Sequence, residues 1–286
     1  VSESSARNGD SQPRRLVMAN QKGGVGKTAT TLGLASAIAH FGRTRGEGGR
    51  VLVMDMDPQG NATSGVGVEV VAGQQPTVAD LFDRSAQPGA LADVVVASAW
   101  DLVDIAPATR DLAGVEEAGD ADLVWRLDAA FDGVDLSAYD AVLFDCPPSL
   151  GRLLFSALVA ADQAVVVTEA TKDSVKGVTE VEETIERVRR RPNPRLELGA
   201  IVVSRRRNNG EHNFREAELR QAYGTLGDSN GGLVCRTVIP DLAARQDAHS
   251  AATPIHLFHG GRALALQIAY TDLATELGLL KDGVSA

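Results

Sequence analysis

The sequence predicts an α/β fold, a single doubly wound and mostly parallel sheet flanked by helices. Three observations predict it. Short apolar runs rich in valine and isoleucine recur at residues 16–19, 51–54, 102–107, 139–145, 163–170, 198–203 and 234–239. Their apolar character is largely continuous, which suits strands buried on both faces. Between several of them lie segments with apolar residues at helical spacing, the alternation that builds parallel sheets. Two of the runs end in aspartates and one in a glycine-rich turn, at the strand ends where such sheets gather ligands.

At 286 residues the chain is long enough for one large domain, placed here at 15–286 after a polar, flexible tail over 1–14. Its 44% hydrophobic and 23% charged content is that of an ordinary globular protein. No apolar run approaches the roughly 20 residues that span a bilayer, and the tail carries no signal-peptide core. Two cysteines, Cys146 and Cys235, make no disulfide framework, so a cytoplasmic setting is expected. His256 and His259 lack a ligand set and read as surface or packing residues. A net charge of −10 argues against nucleic-acid binding over the whole surface. Residues 185–220, however, hold ten arginines and five glutamates, a basic stretch on an acidic chain.

The first run is followed by Asn20-Gln-Lys-Gly-Gly-Val-Gly-Lys-Thr28 and then by a helical pattern through Phe41, with Gly42 as its stop. Strand, glycine-rich turn and helix make a phosphate-binding loop. Gly23, Gly24 and Gly26 let backbone approach phosphate oxygens. Backbone N–H groups of the loop and of the helix start form an anion site. Lys27 can reach β- and γ-phosphates, and the Thr28 hydroxyl can ligate Mg²⁺. Val25 and Ala29 complete the nucleotide-binding set. Gln21 stands where the common motif has its first glycine, and a second lysine, Lys22, sits at the front.

A polar connection over 43–50 leads to the second run, which ends in Asp55-Met-Asp57-Pro-Gln-Gly-Asn-Ala-Thr63. Two carboxylates beside a phosphate site can orient a water and stand near a metal; turn chemistry is the alternative. Thr77 is expected to cap a short helix over 77–82. Residues 108–130 read as partly helical, their acidic residues on a solvated face. The run at 139–145 ends in Asp145-Cys-Pro-Pro-Ser-Leu-Gly151, where two prolines force the chain out of the sheet. Cys146 is expected in a small, semi-buried position.

These motifs together resemble the ParA family of DNA-partitioning P-loop ATPases, within the ParA/MinD class with a deviant Walker A loop. The resemblance covers nearly all of 15–280, with three motifs in order. It implies a P-loop NTPase fold and an ATPase that uses ATP and Mg²⁺. It implies that Lys22 reaches the nucleotide of the other subunit in a homodimer, and that Asp57 serves hydrolysis beside the metal. Asp145 would be the Walker B aspartate, holding Mg²⁺ through water. Pro240 and Leu242 would lie beside the adenine, although Pro240-Asp241 departs from the commoner I-P-R pattern. The resemblance further implies an ATP-bound dimer on non-specific DNA, a ParB-type partner, a nucleoid-associated location and no membrane.

The later elements complete the reading. Residues 174–191 form an amphipathic helix with Val178, Val181, Ile185 and Val188 inward, ended by Pro192 and Pro194. Its terminal arginines 189–191 serve either the helix dipole or DNA. Arg205, Arg206 and Arg207 fall in a loop with Asn208, and Arg215 and Arg220 on a helix over 214–223. They suit phosphate-backbone contacts, with a solvated charge run as the alternative. A helix from Arg262, with Ala263, Leu266, Tyr270 and Leu273 inward, closes the fold. A MinD-like membrane switch is the alternative function, but the end at 277–286 has one lysine where a basic amphipathic helix is expected. A nitrogenase-iron-type redox protein would need Cys146 and Cys235 to bridge two subunits.

Overall fold

In the computed structural model of the chain, residues 12–46, 48–71, 73–120, 122–260 and 262–280 are described. Eight strands form one sheet in the order β3-β4-β2-β5-β1-β6-β7-β8. Their spans are β1 Arg14–Ala19, β2 Val51–Asp55, β3 Val96–Ala97, β4 Val103–Ala106, β5 Ala141–Asp145, β6 Gln163–Glu169, β7 Glu197–Arg206 and β8 Val234–Pro240. All pairings are parallel except that of the edge strand β3 with β4. The doubly wound fold expected from the apolar runs is therefore present. β1 begins at Arg14, inside the predicted tail, and residues 1–11 lie outside the described ones.

The helices are α1 Lys27–Arg45, α2 Asn61–Gly65, α3 Leu91–Val94, α4 Ala113–Glu117, α5 Leu123–Ala129, α6 Arg152–Ala160, α7 Ser174–Arg189, α8 Gly210–Tyr223, α9 Ala244–Ser250 and α10 Ala263–Glu276. Successive strand residues point to opposite faces, so each strand feeds two cores. Leu16, Met18, Val51 and Val53 pack with α1, α9 and α10; Val17, Ala19, Leu52 and Met54 pack with α5, α6 and α7. No described helix is long and apolar enough to cross a membrane.

Several expectations need correction. α1 does not stop at Gly42 but runs to Arg45, capped by Gly46 in the left-handed region with its N–H on Gly42 O. Gly42 is small because the backbone of Gly48 and Gly49 crosses there, and a Cβ would collide with it. β7 extends through Arg206, which pairs with Pro240, so Arg205 and Arg206 end a strand rather than sit in a loop. α8 begins at Gly210, with Asn209 capping His212 N–H at 2.8 Å. The turn capped by Thr77 is a 3₁₀ helix over Val78–Phe82, closed by reciprocal bonding with Asp80.

The acidic residues of 108–130 do not all form a solvated face. Asp120 is paired with Arg84 and Arg126, and Glu116 bonds the backbone of α6. Cys146 is fully buried, and burial raises its thiol pKa, so it is inert.

Candidate functional site

The glycine-rich loop leaves β1 between β5 and β6, at the carboxyl end of the sheet. Asn20 pins its start: Nδ2 donates to Val167 O at 2.7 Å, and Oδ1 accepts from Lys22 N–H at 2.9 Å. This buried anchor carries no motif of its own, and only the neighbouring strand reveals its role. Gly24 and Gly26 have φ of +76° and +96°, conformations that favour glycine. At Gly26 a Cβ would also lie 2.6 Å from Ser204 Oγ.

Lys27 begins α1 and is buried, its Nζ donating to Lys22 O at 3.3 Å. Burial lowers its pKa, while Asp145 and Asp57 act in the opposite sense. Lys22 is a different kind of lysine. Its side chain is about half exposed at the loop's rim, 3.6 Å from Glu169 and 3.5 Å from Thr171 Oγ1.

The carboxylates meet because β2 and β5 pair with Asp55 opposite Asp145. Asp55 is wholly buried and spends its oxygens on the next loop. It accepts Asp57 N–H at 3.1 Å and, from Thr63, N–H at 2.8 Å and Oγ1–H at 2.7 Å. It therefore shapes the loop that carries Asp57. Burial pushes its pKa up to about 6.

Asp145 accepts from Thr31 Oγ1 at 3.2 Å, and its other oxygen, Oδ2, is buried with no hydrogen-bond partner among the described residues. Burial first, then the charge of Asp55, push its pKa up to about 8, against the Thr28 hydroxyl and Lys27. A buried carboxylate oxygen without a donor, beside a threonine hydroxyl and phosphate-binding N–H groups, fits a hydrated divalent cation.

A cleft of about 580 Å³ opens over this group. Gly24, Gly26, Lys27, Thr28, Ala29, Asp57, Pro148 and Arg205 line it, and it continues along α1 to Trp100, His249, Ile255 and Tyr270. Gly23 packs under Pro148, and Val25 is buried. Pro240 and Leu242 are not among the lining residues; Leu242 packs against the apolar core on the side of the sheet that carries α1, α9 and α10. Arg245 and Gln246 of α9 line it instead, and nothing in their sequence context marked them.

The arginines fall in two places. Arg205, with φ +52°, turns to the phosphate loop, donating to Gly24 O at 2.8 Å and pairing with Glu169 at 2.9 Å. Arg206 and Arg220 both pair with Glu216, at 3.1 and 2.9 Å. Arg207 pairs with Asp241 at 2.8 Å, and Arg215 with Glu211 at 2.8 Å and Glu218 at 3.1 Å.

Cys235 lies within β8 and Cys146 just beyond β5; both are buried, so neither is placed to bridge subunits around a cluster. His256 is a packing residue, its ring hydrogen-bonded to Ser36 Oγ at 2.9 Å. Among the described residues no three metal-ligating side chains cluster.

Comparison with known proteins agrees with this geometry. An AAA domain family model matches residues 14–198. The chain is 36% identical over 250 residues to the chromosome partitioning protein ParA of Caulobacter vibrioides, covering 86% of this chain and 87% of that one. It is 37% identical over 227 residues to the chromosome-partitioning ATPase Soj of Thermus thermophilus, covering 79% and 81%. Among solved structures, a variant of Cyanothece McdA in complex with ATP superposes with a TM-score of 0.79 at 20% identity, covering 96% of this chain and 100% of that one. Cobyrinic acid a,c-diamide synthase of Mycobacterium smegmatis, with bound ATP analogue and magnesium, gives 0.70 at 26% identity, covering 92% and 95%. The chain belongs to the ParA family of partitioning P-loop ATPases.

Proposed function

We propose that this protein is an ATP-driven dimerisation switch that partitions DNA. The observation that carries the reading is the pair of lysines on one loop. Lys27 is buried and turned into the loop, where it meets the β- and γ-phosphates of the nucleotide bound by its own chain. Lys22 is half exposed at the rim, in a long ion pair with Glu169 that it would leave to cross to the triphosphate of a second copy. That crossing offsets the phosphate charge that otherwise opposes closing a dimer. Asp57, only 8% exposed and lining the cleft, orients the attacking water. Thr28 and Asp145 would hold Mg²⁺, with Asp57 beside it. The ion, when bound, neutralises phosphate charge and keeps Asp145 ionised.

In this reading the closed dimer presents a sequence-independent DNA face, and hydrolysis, quickened by a ParB-type partner, releases it. Arg205, Arg206, Arg207, Arg215 and Arg220 are each held by carboxylates, so they offer DNA less net charge than their number suggests. Arg190, Arg191 and Arg195 are exposed, and no carboxylate lies within 4.0 Å of them among the described residues. They follow α7 at the amino end of the sheet, where Arg195 neighbours Arg15 and Asp128, away from Arg205 and Arg207 at its carboxyl end. The site of action is then the nucleoid, in the cytoplasm.

Retention on random-sequence DNA tests the reading. With ATP and Mg²⁺ in low salt the protein is retained, and with ADP it is not. Retention falls steeply with salt, with a log–log slope of about −0.9 per phosphate neutralised. No ATP-dependent retention at low salt contradicts the DNA part of the reading.

A further inference from the structure

Glu116 belongs to none of the motifs, yet it grips the loop that follows Asp145. It stands at the end of α4, 36 residues before Arg152, and its Oε2 accepts Arg152 N–H at 2.8 Å. Its Oε1 accepts Leu153 N–H at 3.3 Å and Ser149 Oγ–H at 3.4 Å. These N–H groups open α6, whose N-cap residue is Gly151 and supplies no side-chain cap. A carboxylate is the favoured partner for unpaired N–H groups at a helix start. Here it arrives from another element, and Arg152 Nη1 donates to Asp120 O at 3.4 Å beside it.

The glycine fits this arrangement. Gly151 has φ −84° and ψ −163°, extended backbone open to any residue. What it lacks is room: a Cβ there would collide with the Glu116 carboxylate. Between Asp145 and the clamped amides run only Cys146 to Gly151, and Pro148 within them packs over Gly23 and lines the cleft. Both ends of the segment are fixed, one by β5 and one by Glu116.

We propose that Glu116 is a positioning residue for the nucleotide site. It holds the segment 146–151 so that Pro148 roofs the phosphate loop and Asp145 keeps its place beneath it. The inference rests on the ATPase reading above. Displacing a reacting geometry by about 1 Å costs up to 100-fold in rate.

The test compares wild type, Glu116→Ala and Gly151→Ala at 20 °C, each checked as folded by circular dichroism, by ATP turnover, ADP affinity and amide exchange. Expected for Glu116→Ala are faster exchange at the Arg152 and Leu153 amides and a kcat lowered at least 10-fold. ADP affinity, set by the untouched loop 24–28, changes less than 3-fold. Gly151→Ala pushes the carboxylate away and lowers kcat in the same way, so the proposal remains testable should Glu116→Ala fail to fold. Glu116→Gln, which keeps an acceptor without the charge, restores part of the rate. A carboxylate that only stabilises α6 lowers the melting temperature but leaves kcat at the wild-type value in both alanine variants, and that result overturns the proposal. Should the wild type hydrolyse no ATP, it is the ATPase reading that falls. The clamp then stands or falls on the exchange rates, and equal rates in wild type and Glu116→Ala overturn it.

Discussion

Asp57 and Asp145 stand at neighbouring strand ends and meet different surroundings. Asp57 faces the cleft, and its Oδ1 accepts Gln59 N–H at 3.0 Å. Its replacement by alanine is expected to leave ATP affinity within about 3-fold and to lower turnover by 100-fold or more, the scale of a lost acid–base group. Parallel binding and single-turnover measurements check it. Asp145 is buried beside Asp55, which pushes its pKa up to about 8 from the ordinary 3.8. Without nucleotide the folded chain therefore keeps a proton that the unfolded chain gives up near pH 4. Stability falls as pH rises through that window. Melting temperature should drop between pH 5 and 8, and Asp145→Asn should flatten the profile. At this scale the sequence was legible wherever residues that meet in space are also close in the chain. Gly24 to Thr28 could be found that way, and the aspartates, distant from one another in the chain, by the strand-end motif that surrounds each. Asn20, Arg245 and Glu116 could not, because their partners lie on other elements.

α1 is the element on which the site depends, and its packing is tight. Gly33 leaves room for the ring of Tyr270 on α10, which lies where a Cβ would stand. Gly33→Ala is expected to destabilise the protein by about 1–3 kcal/mol through overpacking, measurable as a lower urea midpoint with unchanged slope. The strands were the readable elements, because burial on both faces leaves continuous apolar runs such as 51–54. α1 outlasted its apparent stop at Gly42 because the glycine serves a backbone crossing, a tertiary fact with no local mark. The two-residue strand β3 was invisible for the opposite reason. It is too short to carry a pattern and exists only through its pairing with β4. β7 ran on into the arginines because β8 offered a partner as far as Pro240.

On the scale of the whole molecule, cations are spread over the surface of a net −10 protein and most are paired with carboxylates. Lys22 and Arg205 lie beside the phosphate loop, and Arg206, Arg215 and Arg220 around α8. The arginines around α8 are paired, so in the proposed switch DNA would compete with carboxylates of the same chain. Its binding should accordingly weaken more steeply with salt than with DNA sequence. In the proposed switch the order of events is triphosphate first, then the second copy, then DNA. Size-exclusion chromatography with light scattering on Asp57→Ala, with ATP and Mg²⁺, examines the middle step alone, since hydrolysis is removed. The account predicts a dimer that reverts to monomer when Lys22→Gln is added to the same chain, with ATP still bound. A dimer that persists without Lys22, or a monomer at saturating ATP with Lys22 in place, would contradict it.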